Sequence, residues 1–166
     1  MAISSMLLPL VASILQFALA HPQPQELTAT STISGCGKTP GLFSYRDFRS
    51  SGKKRIYKFH LPLPYDVNTR YPVVVGFHGS SSIGSFLELD TKLDEERYSG
   101  DKIMIYPDGL GGSWAGPTYH KDSTVAEDVH FVKDVINHVK GQFCVDEENV
   151  FGVGCVITSI SPGKIC

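Results

Sequence analysis

Tyr71-Pro72-Val73-Val74-Val75-Gly76-Phe77 runs without a charged side chain into His78-Gly79-Ser80-Ser81-Ser82, and it limits the fold more tightly than any other stretch. So short and apolar a run predicts a strand buried on both faces, which calls for a parallel sheet covered by helices. The small residues after it end the strand and let backbone approach a ligand closely. Open α/β sheets carry their chemistry beyond the carboxyl ends of such strands, which makes the His78 turn the first candidate site.

The flanking segments predict the rest of that architecture. Arg55 to Leu61 alternates, with Tyr57, Phe59 and Leu61 on one face, and predicts a half-buried strand ended by Pro62-Leu63-Pro64. Phe86, Leu87, Leu89 and Leu93 predict a helical stripe after the His78 turn, followed by a solvated Asp94-Glu95-Glu96-Arg97. Asp101 to Tyr106 predicts a second buried strand, stopped by the Pro107-Asp108-Gly109 turn and a glycine-rich loop from Leu110 to Pro117. Thr124 and Glu127 have capping-box spacing and open a helix whose predicted stripe is Val129, Val132, Ile136, Val139 and Phe143. Val150 to Gly154 predicts a third short strand. Strands and helices alternating in this way predict an α/β fold with a mostly parallel sheet.

The chain has 166 residues, enough for one domain. Met6 to Ala20 is apolar and ends in Ala18-Leu19-Ala20, so residues 1–20 are expected to be a secretory signal peptide, too short to span a bilayer comfortably. Residues 21–34 read as a flexible Pro/Thr/Ser-rich arm, 35–154 as the folded domain and 155–166 as a tail. The expected location is extracellular. A formal charge of −2 and the lack of a basic run give no nucleic-acid or membrane-surface signal. Of the four cysteines, Cys36 and Cys144 fall within the domain; disulfides are expected in an oxidising compartment, but the spacing leaves the pairing open and carries no zinc pattern.

Five motifs occur in a telling order: Ser34-Gly35-Cys36-Gly37-Lys38, Gly76-Phe77-His78-Gly79, Tyr106-Pro107-Asp108-Gly109, Ser113-Trp114, and Glu127-Asp128-Val129-x-Phe131. Together they resemble the secreted fungal feruloyl esterases of type C and D, relatives of polyhydroxybutyrate depolymerases and acetylxylan esterases. The resemblance covers roughly Gly35 to Gly154 and implies the N-terminal half of an α/β-hydrolase fold. It further implies hydrolysis of ferulate esters on plant cell-wall xylan by a Ser-His-Asp triad, with no cofactor and no metal. The loop after the first buried parallel strand would supply oxyanion-hole amides, here at Gly79 and Ser80 and shaped by His78. Such donors stabilise the charge that develops on an ester carbonyl oxygen during attack.

The nucleophile elbow of this family reads Gly-x-Ser-x-Gly, with glycines flanking a strained turn. At the matching place stands Gly154-Cys155-Val156-Ile157-Thr158, so Val156 occupies the position of the serine and Thr158 that of the second glycine. The sequence stops at Cys166, before segments that would bring the triad Asp and His. The expectation is a truncated, inactive chain with at most slow background chemistry from its oxyanion loop.

Other candidates have plainer readings. Ser80, Ser81 and Ser82 are turn residues, since no glycine-flanked elbow surrounds them. Trp114 either stacks on an aromatic acyl or sugar group at the rim or packs inside, and the sequence leaves both open. Asp128 is explained as a carboxylate near a helix N-terminus. His130, Asp134 and His138 share a helix face and read as solvated rather than metal-binding. Cys155 lies one residue off the elbow position and has no assignable base. A non-catalytic secreted polysaccharide-binding protein, using the Trp114 loop and the groove beside His78, is the alternative function. An open edge at residues 149–154 is expected to leave the fold marginal.

Overall fold

A computed structural model describes residues 34–41, 45–116 and 121–154. The expected signal peptide, the arm up to residue 33 and the tail after Gly154, with Cys155 and Val156, lie outside the described residues. The elements are strands β1 (Tyr45–Ser50), β2 (Lys53–His60) and β3 (Tyr71–Phe77), helices α1 (Gly84–Thr91) and α2 (Glu96–Ser99), strand β4 (Ile103–Pro107), helix α3 (Val125–Gln142) and strand β5 (Val145–Gly154). They build one mixed sheet in the order β1-β2-β4-β3-β5. Pairing is parallel from β4 through β3 to β5 and antiparallel from β1 through β2 to β4.

The β1–β2 hairpin has no counterpart in the sequence reading. Its two-residue turn, Ser51-Gly52, places both residues at positive φ (51° and 74°), the twist that closes a tight hairpin.

One face of the sheet carries the core. Tyr57 and Phe59 of β2, Val73 and Val75 of β3, and Ile103 and Ile105 of β4 pack against Phe131, Val135 and Val139 of α3. Each large apolar side chain buried this way contributes about 1.5–3 kcal/mol. Helix α1 lies on the other face. β4 is buried at every residue, but β3 alternates, with Tyr71, Val73 and Val75 buried and Pro72 and Val74 half-buried. This corrects the reading of β3 as covered on both sides, because α1 is only eight residues long.

The predicted α1 stripe is rotated, and the α3 stripe holds at Val139 and Phe143 but not at Val129. In α1, Gly84 and Glu88 face inward, whereas Phe86 (57 % exposed) and Leu89 (67 % exposed) face outward. A Cβ on Gly84 would sit 2.5 Å from the Tyr106 carbonyl oxygen, so only glycine lets the helix start press onto β4, and that contact fixes its rotation. Glu88 then pairs with Lys58 of β2. In α3 the buried side chains are Asp128, Phe131, Val135 and Val139, while Val129 is exposed. The capping box at Thr124 and Glu127 forms as expected.

Cys36 and Cys144 form a disulfide across a sequence separation of 108. It clamps the segment before β1 to the end of α3, where the Gly35 amide also donates to the Lys140 carbonyl at 2.8 Å. Among the described residues β5 is an edge strand, and its Phe151 is 54 % exposed.

Candidate functional site

The parallel strands β3, β4 and β5 end side by side, so the segments following them converge on one edge of the sheet. Gly154 pairs with Phe77 in register, and a Cβ there would lie 2.5 Å from the Phe77 carbonyl oxygen. β5 therefore ends directly beside the His78 turn.

His78 is fully buried. Its Nε2 lies 2.9 Å from the Gly109 amide, which can only donate, so Nε2 accepts. The proton then sits on Nδ1 and is donated to the Gly79 carbonyl at 2.7 Å. Both ring nitrogens are thus committed to backbone, and the imidazole could act as a base only by releasing Gly109. His78 therefore shapes the turn through these two backbone bonds.

Two further bonds join these turns. The Ser82 amide donates to the Gly112 carbonyl at 3.1 Å, and the Gly84 amide donates to Oδ1 of Asp108 at 2.7 Å. Asp108 thereby caps α1, whose own preceding residue, Ile83, has no capping side chain. Gly79 is half-buried and Ser80 exposed, and among the described residues neither amide meets an acceptor. Ser81, at φ 57°, is a turn residue.

Trp114 is half-buried beside this turn. Its ring stacks on Phe131 (centroids 6.4 Å apart, 20° between planes), meets Phe77 edge-on at 5.3 Å and lies 5.4 Å from the imidazole of His78. Trp114 thus packs as an interior residue against Phe77, His78 and Phe131 while staying half-buried.

Asp128 does more than sit near a helix end. Its Oδ1 takes a 2.9 Å ion pair from Arg55, and its Oδ2 accepts from the Ala115 amide at 2.8 Å and from Ser123 Oγ at 3.0 Å. The sequence reading passed over Arg55, although a signal existed. An arginine in register with Tyr57 and Phe59 on the core-facing side of a strand must find a buried acceptor.

His130, Asp134 and His138 do not converge. His130 pairs with Asp134 at 3.3 Å, Asp134 also accepts from Ser50 Oγ at 2.7 Å, and His138 bonds Tyr57 Oη through Nδ1 at 3.0 Å. No group of side chains suited to a metal ion occurs among the described residues. None of the described helices is long and apolar enough to cross a membrane.

No family model matches the chain. A probable feruloyl esterase C of Aspergillus clavatus is 31% identical over 158 residues, covering 89% of this chain and 52% of that protein. Feruloyl esterase D of Neurospora crassa is 26% identical over 144 residues, covering 77% of this chain and 46% of that protein. The chain is related to the fungal type C and D feruloyl esterases. It spans about half the length of these curated relatives. The crystal structure of a thermostable esterase matches with a TM-score of 0.55 at 18% identity, over 68% of this chain and 34% of that one. The sheet shared with the esterases is part of an α/β-hydrolase fold.

Proposed function

We propose that the chain carries the N-terminal part of a secreted feruloyl-esterase-type carboxylic ester hydrolase, whose substrate is feruloylated plant cell-wall xylan. In this reading the Gly79 and Ser80 amides face the ester oxygen, His78 shapes their loop, and Trp114 forms an aromatic wall beside them. The observation that supports it best is the register of Gly154 on Phe77, which places the end of β5 beside the His78 turn. That is where an attacking hydroxyl would be needed. The residue two positions on is Val156, which has no nucleophilic atom, so the chain as written is inactive.

The test is hydrolysis of methyl ferulate and para-nitrophenyl acetate by the purified chain, beside a xylan pull-down. No turnover above the uncatalysed rate and negligible retention on xylan are expected. Turnover at ordinary esterase rates would refute the inactivity. Tight retention on xylan would favour a polysaccharide-binding role.

A further inference from the structure

The buried ion pair between Arg55 and Asp128 has a shape that stability does not explain. Both side chains are almost wholly inside, at 1 % and 8 % exposure. Taking two charges out of water offsets most of their attraction, and replacing such a pair by neutral side chains of similar size is often harmless to stability. The Arg55 guanidinium carbon also sits over the Phe131 ring, 4.0 Å from its centroid, and Nε has no partner among the described residues. The geometry is informative on the other side of the carboxylate. One oxygen, Oδ2, receives both the Ala115 amide and the Ser123 hydroxyl, so a single atom holds the two ends of the segment from Ala115 to Ser123. Trp114 immediately precedes that segment and rests on the same Phe131 that Arg55 covers.

We propose that Arg55 and Asp128 are positioning residues, which pin the Ala115 end of this segment and thereby hold the Trp114 indole against Phe77 and His78, beside the Gly79 turn. The Asp128 carboxylate accepts three donors at once, from Arg55, the Ala115 amide and Ser123 Oγ. An amide bond to a charged acceptor is worth more than a neutral one, which suits a contact that must fix a loop. The claim about the indole stands on the contacts alone. The claim that the indole then meets an aromatic acyl group rests on the ester-hydrolase reading above.

Trp114 is the sole tryptophan, so indole signals report it without ambiguity. The double variant Arg55→Met with Asp128→Asn leaves no lone buried charge. It is expected to retain the circular dichroism of the parent, red-shift the fluorescence, raise acrylamide quenching and move the indole Nε1–H resonance. Lys54→Ala, which breaks the exposed pair with Asp47, is expected to move none of these. In the unsubstituted chain the Ala115 amide is expected to exchange as slowly as the amides of α3. In the double variant its exchange is expected to accelerate about tenfold, the equivalent of losing one bond to a charged acceptor. That amide measurement decides the matter even if the double variant does not fold, because fast exchange at Ala115 in the parent overturns the proposal. An unmoved indole in a folded double variant overturns it as well. Ferulic acid is then titrated calorimetrically, and its dissociation constant is expected to rise in the double variant. Failure of ferulic acid to bind the parent chain would sink the ester-site reading and leave the indole result to judge the positioning role.

Discussion

The amide of Gly109 donates to Nε2 of His78 at 2.9 Å and joins two turns separated by 31 residues. The same imidazole holds the Gly79 carbonyl through Nδ1, so one fully buried ring sets the spacing between the ends of β3 and β4.

Replacing His78 by phenylalanine keeps much of the volume and orphans the Gly109 amide, at an expected cost of about 1–3 kcal/mol. His78→Ala adds a cavity and is expected to cost more. Urea denaturation measures both. A loss below about 0.5 kcal/mol for the alanine variant, the level of an ordinary surface change, would show that the bond holds nothing.

The Cys36–Cys144 bridge closes a loop with a sequence separation of 108. Removing it as the Cys36→Ser, Cys144→Ser pair is expected to destabilise by about 2–5 kcal/mol, chiefly by releasing the unfolded chain. Thermal melts with and without reductant are the check. The parent is expected to fall towards the double variant when dithiothreitol is added.

Tyr106 is wholly buried and its hydroxyl has no partner among the described residues. Burial, followed by the nearby Asp94 and Glu88 carboxylates, pushes its ionisation well above the ordinary tyrosine range. The folded state therefore favours the neutral phenol. Its contribution is complete below about pH 10, the unfolded value, and is lost as pH rises beyond it. Tyr106→Phe is expected to leave stability at pH 7 unchanged or raise it by about 1 kcal/mol, and to flatten the alkaline limb. A clear loss at pH 7 in chemical denaturation would reveal a partner for the hydroxyl.

At the start of α3, Lys53 and the Thr124 amide hold the Glu127 carboxyl below the usual glutamate range. A depressed carboxylate contributes stability above its unfolded pKa and loses it as pH falls through the folded one. Glu127→Gln is expected to flatten the acid limb of the stability profile below about pH 5. Thr124→Ala, which removes the other half of the capping box, is expected to cost about 1 kcal/mol at neutral pH. Melts across pH 3–7 read both, and an unchanged acid limb in the glutamine variant would sink the assignment.

Elements defined by local chemistry were legible from the residues. The alternation of Tyr57 and Phe59 set β2, the apolar run set β3, and Thr124 with Glu127 set the start of α3. The hairpin turn at Ser51-Gly52 carried a readable signal that the strand pattern of residues 45–50 obscured. Helix rotation was only partly legible: Val139 and Phe143 lie in the core as predicted. Phe86 and Val129 are apolar but exposed, because the inward faces of α1 and α3 are chosen by contacts with distant residues, the Tyr106 carbonyl and Arg55. The role of His78 was half legible. Its position after β3 pointed to the turn, but its partner Gly109 becomes a neighbour only when β3 and β4 pair.

The sequence by itself determined the segments of β2, β3, β4, α1 and α3, the compartment expected for its cysteines, and the valine two residues past Gly154. Those follow from side-chain period, capping chemistry and residue type, all of them local. Tertiary structure alone decided that Cys36 bonds Cys144, that Asp128 gathers Arg55, Ala115 and Ser123, and that Gly154 ends beside Phe77. Each depends on how strands far apart in the chain pair and on which face each helix turns inward, and no local pattern encodes either.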